Sequence, residues 1–140
     1  MSSPITITIE TTLLAPVAKV WHHWTTPESI MQWNAALDAW HCPHASNDLR
    51  VGGAFSARME ARDGSFGFDF AGTYTEVILH SLIACSLGDA RKVVIRFEAV
   101  QGGCRVTESF DAEDQNSAEM QKNGWQDILD RFKAFVESQP

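Results

Sequence analysis

The last quarter of the chain places Trp125, Ile128, Leu129, Phe132, Phe135 and Val136 at i, i+3, i+4 and i+7 spacing, the stripe of one long amphipathic helix. Ahead of it the pattern alternates instead. FSARMEAR sets Phe55, Ala57, Met59 and Ala61 against Ser56, Arg58, Glu60 and Arg62, and FGFDFAGTYTEV sets Phe66, Phe68, Phe70 and Tyr74 against Asp69, Thr73 and Thr75. A half-buried antiparallel sheet and a helix with one apolar stripe each have a single face to hide, and the simplest fold hides them on each other, which is an α+β arrangement.

The other segments fit that frame. Residues 5–12, ITITIETT, alternate with Ile5, Ile7 and Ile9 on one side and predict a half-buried strand. Pro16 then opens a helix carrying Val17, Val20, Trp21 and Trp24, and Thr26 with Pro27 caps and starts a second one carrying Ile30, Met31 and Trp33. Residues 34–48 lack a sustained period and predict a long connection. From Leu49 onward about six strands follow as a meander, with turns at Gly52 and Gly53, at Asp63, Gly64 and Ser65, at Gly88 and Asp89, and at Gly102 and Gly103. Asn116 to Glu119 read as a capping box for the final helix. At 140 residues the chain fits one domain, residues 1–140.

Charge and composition narrow the function classes. Eighteen acidic against eleven basic residues leave a net charge of −7, which repels phosphate backbones and anionic lipid and argues against a nucleic-acid partner. No apolar run is long enough for a membrane span, and the N-terminus lacks a signal-peptide pattern, so a cytoplasmic location is expected. Cys42, Cys85 and Cys104 are odd in number and widely spaced, in keeping with free thiols.

A twisted sheet around one helix encloses more volume than the helix fills, unless large side chains plug it, so a ligand cavity is expected. Its candidate lining is Phe55, Met59, Phe68, Phe70 and Tyr74 across from Trp125, Ile128 and Leu129, with simple core packing as the competing reading. Trp40 and His41 are candidates for a lid in the loop. Cys42 and His44 beside His41 suggest zinc, but no second ligand pair is visible, and neither metal nor cofactor is expected. Arg58, Glu60 and Asp69 share the polar parity and read as an outer charge cluster. Glu108 falls on the apolar parity of RVTESF, which places it at a cavity rim or makes it a buried carboxyl with a raised pKa, the rim being favoured.

The phrases APVAKVWHHWTTPESIMQWN, DLRVGGAFSARMEARDGSFGFDFAGTYTEV, RVTESFDAE and NGWQDILDRFKAFVE resemble the bacterial proteins similar to the C-terminal domain of the heat-shock-protein-90 ATPase activator. These belong to the START-like superfamily, with the birch-pollen allergen and the polyketide cyclases. The resemblance implies a helix-grip fold, a seven-stranded antiparallel sheet wrapped around the last helix with two short helices closing one end. It leaves three functions open. Binding of a small apolar or aromatic molecule comes first. A cyclase- or hydrolase-like enzyme using Tyr74, His41 or Glu108 for proton transfer is second. A protein-interaction role with a chaperone partner is third, set back because the activator carries an additional N-terminal domain for which this length leaves no room. A homodimer also stays open.

Overall fold

Ile7, Ile9 and Leu13 form the buried side of β1 (Thr6–Leu13), the first strand of an antiparallel sheet. The computed structural model describes residues 5–35 and 38–140. After β1 come α1 (Val17–Thr25), α2 (Pro27–Trp33), β2 (Trp40–Asn47), β3 (Ala54–Ala61), β4 (Gly67–Ile78), β5 (Leu82–Leu87), β6 (Lys92–Val100), β7 (Gly103–Asp111) and α3 (Ala118–Ser138). The strands form one seven-stranded sheet in the order β1-β7-β6-β5-β4-β3-β2. β1 and β2 are neighbours in sequence yet lie at opposite edges, so the chain crosses the width of the sheet between them, and α1 and α2 make that crossing. The sheet curls around α3 in a helix-grip α+β fold.

One element departs from the sequence reading. Residues 40–47, expected to be loop, form the edge strand β2 against β3, with a register shift between His41 and His44. The bulge explains why no alternation was visible: the inward residues of β2 run Trp40, Cys42, Ala45, Asn47, so the period of two breaks once. Pro43 is tolerated because β2 is an edge with a free side.

The helix starts rest on different atoms from those expected. Pro16 occupies the N-cap of α1 through its carbonyl, which accepts from Lys19 N at 3.0 Å and Val20 N at 3.1 Å. Thr26 caps α2 likewise through its carbonyl, while its hydroxyl turns back to His22 O at 2.6 Å and closes α1. The cap of α3 is Ser117, whose Oγ accepts from Met120 N at 3.1 Å, one residue later than the box beginning at Asn116. Gln121 ties the preceding loop to the helix, accepting from Glu113 N and donating to the carbonyls of Glu113 and Asn116.

Phe132 of α3 joins the helices to one another. Fully buried, it meets Trp24 of α1 edge-on at 4.9 Å and Trp33 of α2 at 4.8 Å. The Trp33 indole N–H donates to His23 O at 3.0 Å, so the ring is held as well as packed. Phe132→Ala should lower the unfolding free energy by about 3–5 kcal/mol, whereas Ser117→Ala should cost about 1 kcal/mol. Chemical denaturation of both variants checks the ranking, and equal losses would contradict this account of what holds the helices.

Candidate functional site

α3 lies along β1, and Trp125 stacks flat on Phe110 of β7 with ring centroids 3.8 Å apart. The helix therefore covers the β1–β7 side of the inner face. The inner face of β3, β4 and β5 curves away from it, and between them lies a cavity of about 460 Å³. Its walls include Phe55, Ala57 and Met59 of β3, Phe70 and Tyr74 of β4, and Ile83 of β5, faced by Gly124, Trp125, Ile128 and Leu129 of α3. Trp24 and Trp33 close the end formed by α1 and α2. A hollow of this size with apolar walls falls in the range of small-molecule sites.

Gly124 contributes to the hollow by what it lacks. It sits on the inward face of α3, and a Cβ built there meets no atom within 4 Å. A glycine inside a helix costs about 1 kcal/mol relative to alanine, so α3 gives up helix stability at a position that opens onto the cavity.

Few polar groups reach this space. The Tyr74 hydroxyl donates to Asn47 Oδ1, and the Asn47 amide donates to Thr25 O at 2.6 Å, which joins β4, β2 and the end of α1. Burial raises the Tyr74 phenol above its ordinary value and pushes the Cys85 thiol up to about 12, so both are neutral near physiological pH. Glu108 is only 8% exposed. Its cross-strand neighbours are Ile9 and Ile95, and Val106 and Phe110 flank it along β7. Among the described residues none hydrogen-bonds or ion-pairs with its carboxyl, and desolvation alone raises its pKa to about 8. A carboxyl in that state is a proton donor facing an apolar hollow.

At the other end Arg91, Glu113, Asn116 and Gln121 border the cavity, and Arg91 Nε is paired with Asp89 at 2.7 Å.

The structure brings together Phe55, Met59, Phe68, Phe70, Tyr74, Glu108, Trp125, Ile128 and Leu129 around one cavity. It leaves Trp40 and His41 out of that lining, Trp40 facing inward beside it against Phe68, Ala57 and Met59, and His41 facing outward. Both belong to β2, so neither is part of a loop lid. His41 sits opposite Glu60, with Nε2 3.8 Å from Oε1, on the outer face that also carries Arg58, bonded to Glu60 at 2.9 Å and to Asp69 at 3.4 Å. Trp40 meets Phe66 and Phe68 at ring separations of 5.9 and 6.1 Å. Glu108 lies deep in the site and not at its rim, because the curl of the sheet carries the middle of β7 under α3. Among the described residues no three His, Cys, Asp or Glu side chains gather as metal ligands, and Cys42 instead donates to His44 O at 3.4 Å. Sequence reasoning passed over Asn47 and Gly124. The signal for Gly124 was a glycine on the apolar side of a helix. For Asn47 there was none once residues 34–48 read as loop.

The curled sheet, the gripped helix and the hollow between them define a START-like helix-grip protein. Residues 14–137 match the family described as activator of Hsp90 ATPase homolog 1-like protein, and the chain belongs to that family. The AHSA1-like protein from Aeromonas hydrophila is 42% identical, superposes with a TM-score of 0.90, and the match covers 96% of this chain and 93% of that one. Chr148 from Cytophaga hutchinsonii is 45% identical with a TM-score of 0.83, over 94% of this chain and 92% of its own. CV1439 from Chromobacterium violaceum, at 24% identity and a TM-score of 0.87 over 97% of this chain and 100% of its own, shares the fold. No curated protein matches the chain. Family and fold together support a ligand-binding or activator-like module.

Glu108 gives the site a pH signature. Its folded pKa of about 8 lies above the ordinary 4.5, so the folded state holds a proton that the unfolded chain has released near neutrality. The contribution to stability is complete below the unfolded value and is lost as pH rises through the folded one, amounting to at most about 3 kcal/mol by pH 7 at roughly 1.4 kcal/mol per unit. Glu108→Gln should unfold like the parent at about pH 4 and be more stable than it at about pH 8. Denaturation curves at both pH values check this, and superimposable curves at the higher pH would place Glu108 in water.

Proposed function

We propose that the protein binds a small, mainly apolar or aromatic molecule in the cavity between the sheet and α3. The observation that carries the reading is the open space in front of Gly124, on the inward face of a helix whose neighbours Trp125, Ile128 and Leu129 are apolar. A packed core would fill that space, since interiors reach crystal-like density and empty volume costs stability. Three buried free thiols suit a reducing, cytoplasmic setting.

The enzyme reading is narrower than the sequence left it. Of the three proton-transfer candidates, His41 is outside the cavity and the Tyr74 proton is committed to Asn47, which leaves Glu108. A protein-contact reading has its own observation. Phe66 and Phe68, 61% and 44% exposed, cluster with Trp40 beside the edge strand β2, and such exposed apolar groups commonly mark interaction surfaces. That surface would serve an activator-like role, for which the family description is the other support.

Gly124→Leu puts a side chain into the hollow with no backbone strain and should also favour the helix. An environment-sensitive naphthalene dye should bind the parent and Gly124→Ala, and bind Gly124→Leu at least about tenfold more weakly, with all three proteins equally folded by circular dichroism. Equal dye affinity in Gly124→Leu would place the dye elsewhere and overturn the reading.

A further inference from the structure

The polar groups inside the cavity are unequal in what they offer. The Tyr74 hydroxyl donates its hydrogen bond to Asn47, so its oxygen presents only acceptor lone pairs to the cavity. The Cys85 thiol is neutral and a weak partner. Glu108, by contrast, is a carboxyl with no partner among the described residues, set between Ile9 and Ile95 and opening on the hollow. Its oxygens are not sealed off, because no buried polar atom among the described residues is left both enclosed and unbonded. The cavity gives them their contact.

The other titratable groups bordering the cavity are Arg91 and Glu113, both at its far end, and Arg91 is engaged by Asp89. No cationic side chain among the described residues therefore faces Glu108 from β1, β6, β7 or α3. The elements at the opposite end, α1 and α2, contribute Trp24, Ile30, Trp33 and Asn34, none of them charged.

Three kinds of polar ligand group can be compared. An anion would meet an acidic protein of net charge −7 and a carboxyl with nothing to neutralise it. A neutral acceptor would gain one ordinary hydrogen bond from the protonated carboxyl. A protonated amine gains a charge-assisted bond to the carboxylate, the attraction of the aromatic walls, and the long-range field of an acidic chain. Its N–H groups also suit the acceptor-only oxygen of Tyr74. We propose, resting on the cavity reading above, that the natural ligand is an aromatic or apolar molecule bearing a basic nitrogen, and that Glu108 holds its ammonium group.

Proton balance gives this a measurable form. Below the pKa of the carboxyl the empty site is protonated, so binding an ammonium ion converts the Glu108 carboxyl to carboxylate and releases its proton to the buffer. Naphthylethylamine, naphthylethanol and naphthylacetate serve as size-matched probes by calorimetry. The amine should bind at least about tenfold tighter than the alcohol at pH 7, with the acetate weakest. At about pH 6 amine binding should release about one proton per site, read from buffers of different ionisation enthalpy, and its affinity should rise toward about pH 8. Glu108→Gln should keep the alcohol and lose the preference for the amine. Equal affinity of amine and alcohol in the parent, a preference that survives Glu108→Gln, or no proton release would overturn the ionic role of Glu108 while leaving the cavity reading intact. Failure of all three probes to bind would overturn both.

Discussion

One helix against seven strands is the constraint from which the rest of the structure follows. α3 has a single apolar stripe, which meets the sheet at β1 and β7, where Trp125 lies flat on Phe110 and Leu129 is buried, and meets α1 and α2 through Phe132. A sheet of this width cannot be covered by a helix about 10 Å across. The strands beyond β6 must curl over, and their inward aromatic residues reach toward the helix without filling the gap. Phe70 touches the edge of Trp125 at 5.8 Å, and beyond that contact the space is open. The hollow is thus a product of fold geometry, and Gly124 keeps it from being filled from the helix side.

The same geometry decides what is polar inside. Tyr74, Asn47 and the Thr25 carbonyl form a short chain that joins the middle of the sheet to its edge strand and to α1. Because each group is satisfied, the chain stabilises the closed end of the cavity and fixes the lining rings around it. Glu108 has no such partners. A buried carboxyl without a partner lowers stability near neutral pH, and natural cores seldom keep one unless the site uses it.

Much of this was legible in the chain. The alternation of residues 54–61 and 68–74 and the stripe from Trp125 to Val136 specify strands, faces and helix because each period is unbroken there; in β4 it breaks only beyond Tyr74, where the register shifts before Glu76. β2 was hidden because its bulge shifts the parity between Cys42 and Ala45, and because His41, Pro43 and His44 are poor strand formers. Misreading β2 then moved Trp40 and His41 into a lid they do not form and removed Asn47 from consideration. The parity of Glu108 marked it as inward, but its depth depends on how far the sheet curls, and that is set by packing between distant elements. Local pattern carries the face on which a residue lies, while the volume left between two faces belongs to the whole fold.

The central claim is that this volume is vacant of protein atoms and accepts an apolar molecule. Methyl-resolved nuclear magnetic resonance during titration with a naphthalene probe tests it most directly. Ile83, Ile95, Ile128 and Leu129 line the cavity, whereas Leu14, Ile78 and Leu79 are exposed on the outside. The account predicts large, saturable shifts at the first group with the second unmoved. Shifts confined to the exposed methyls, or none at all, would contradict it.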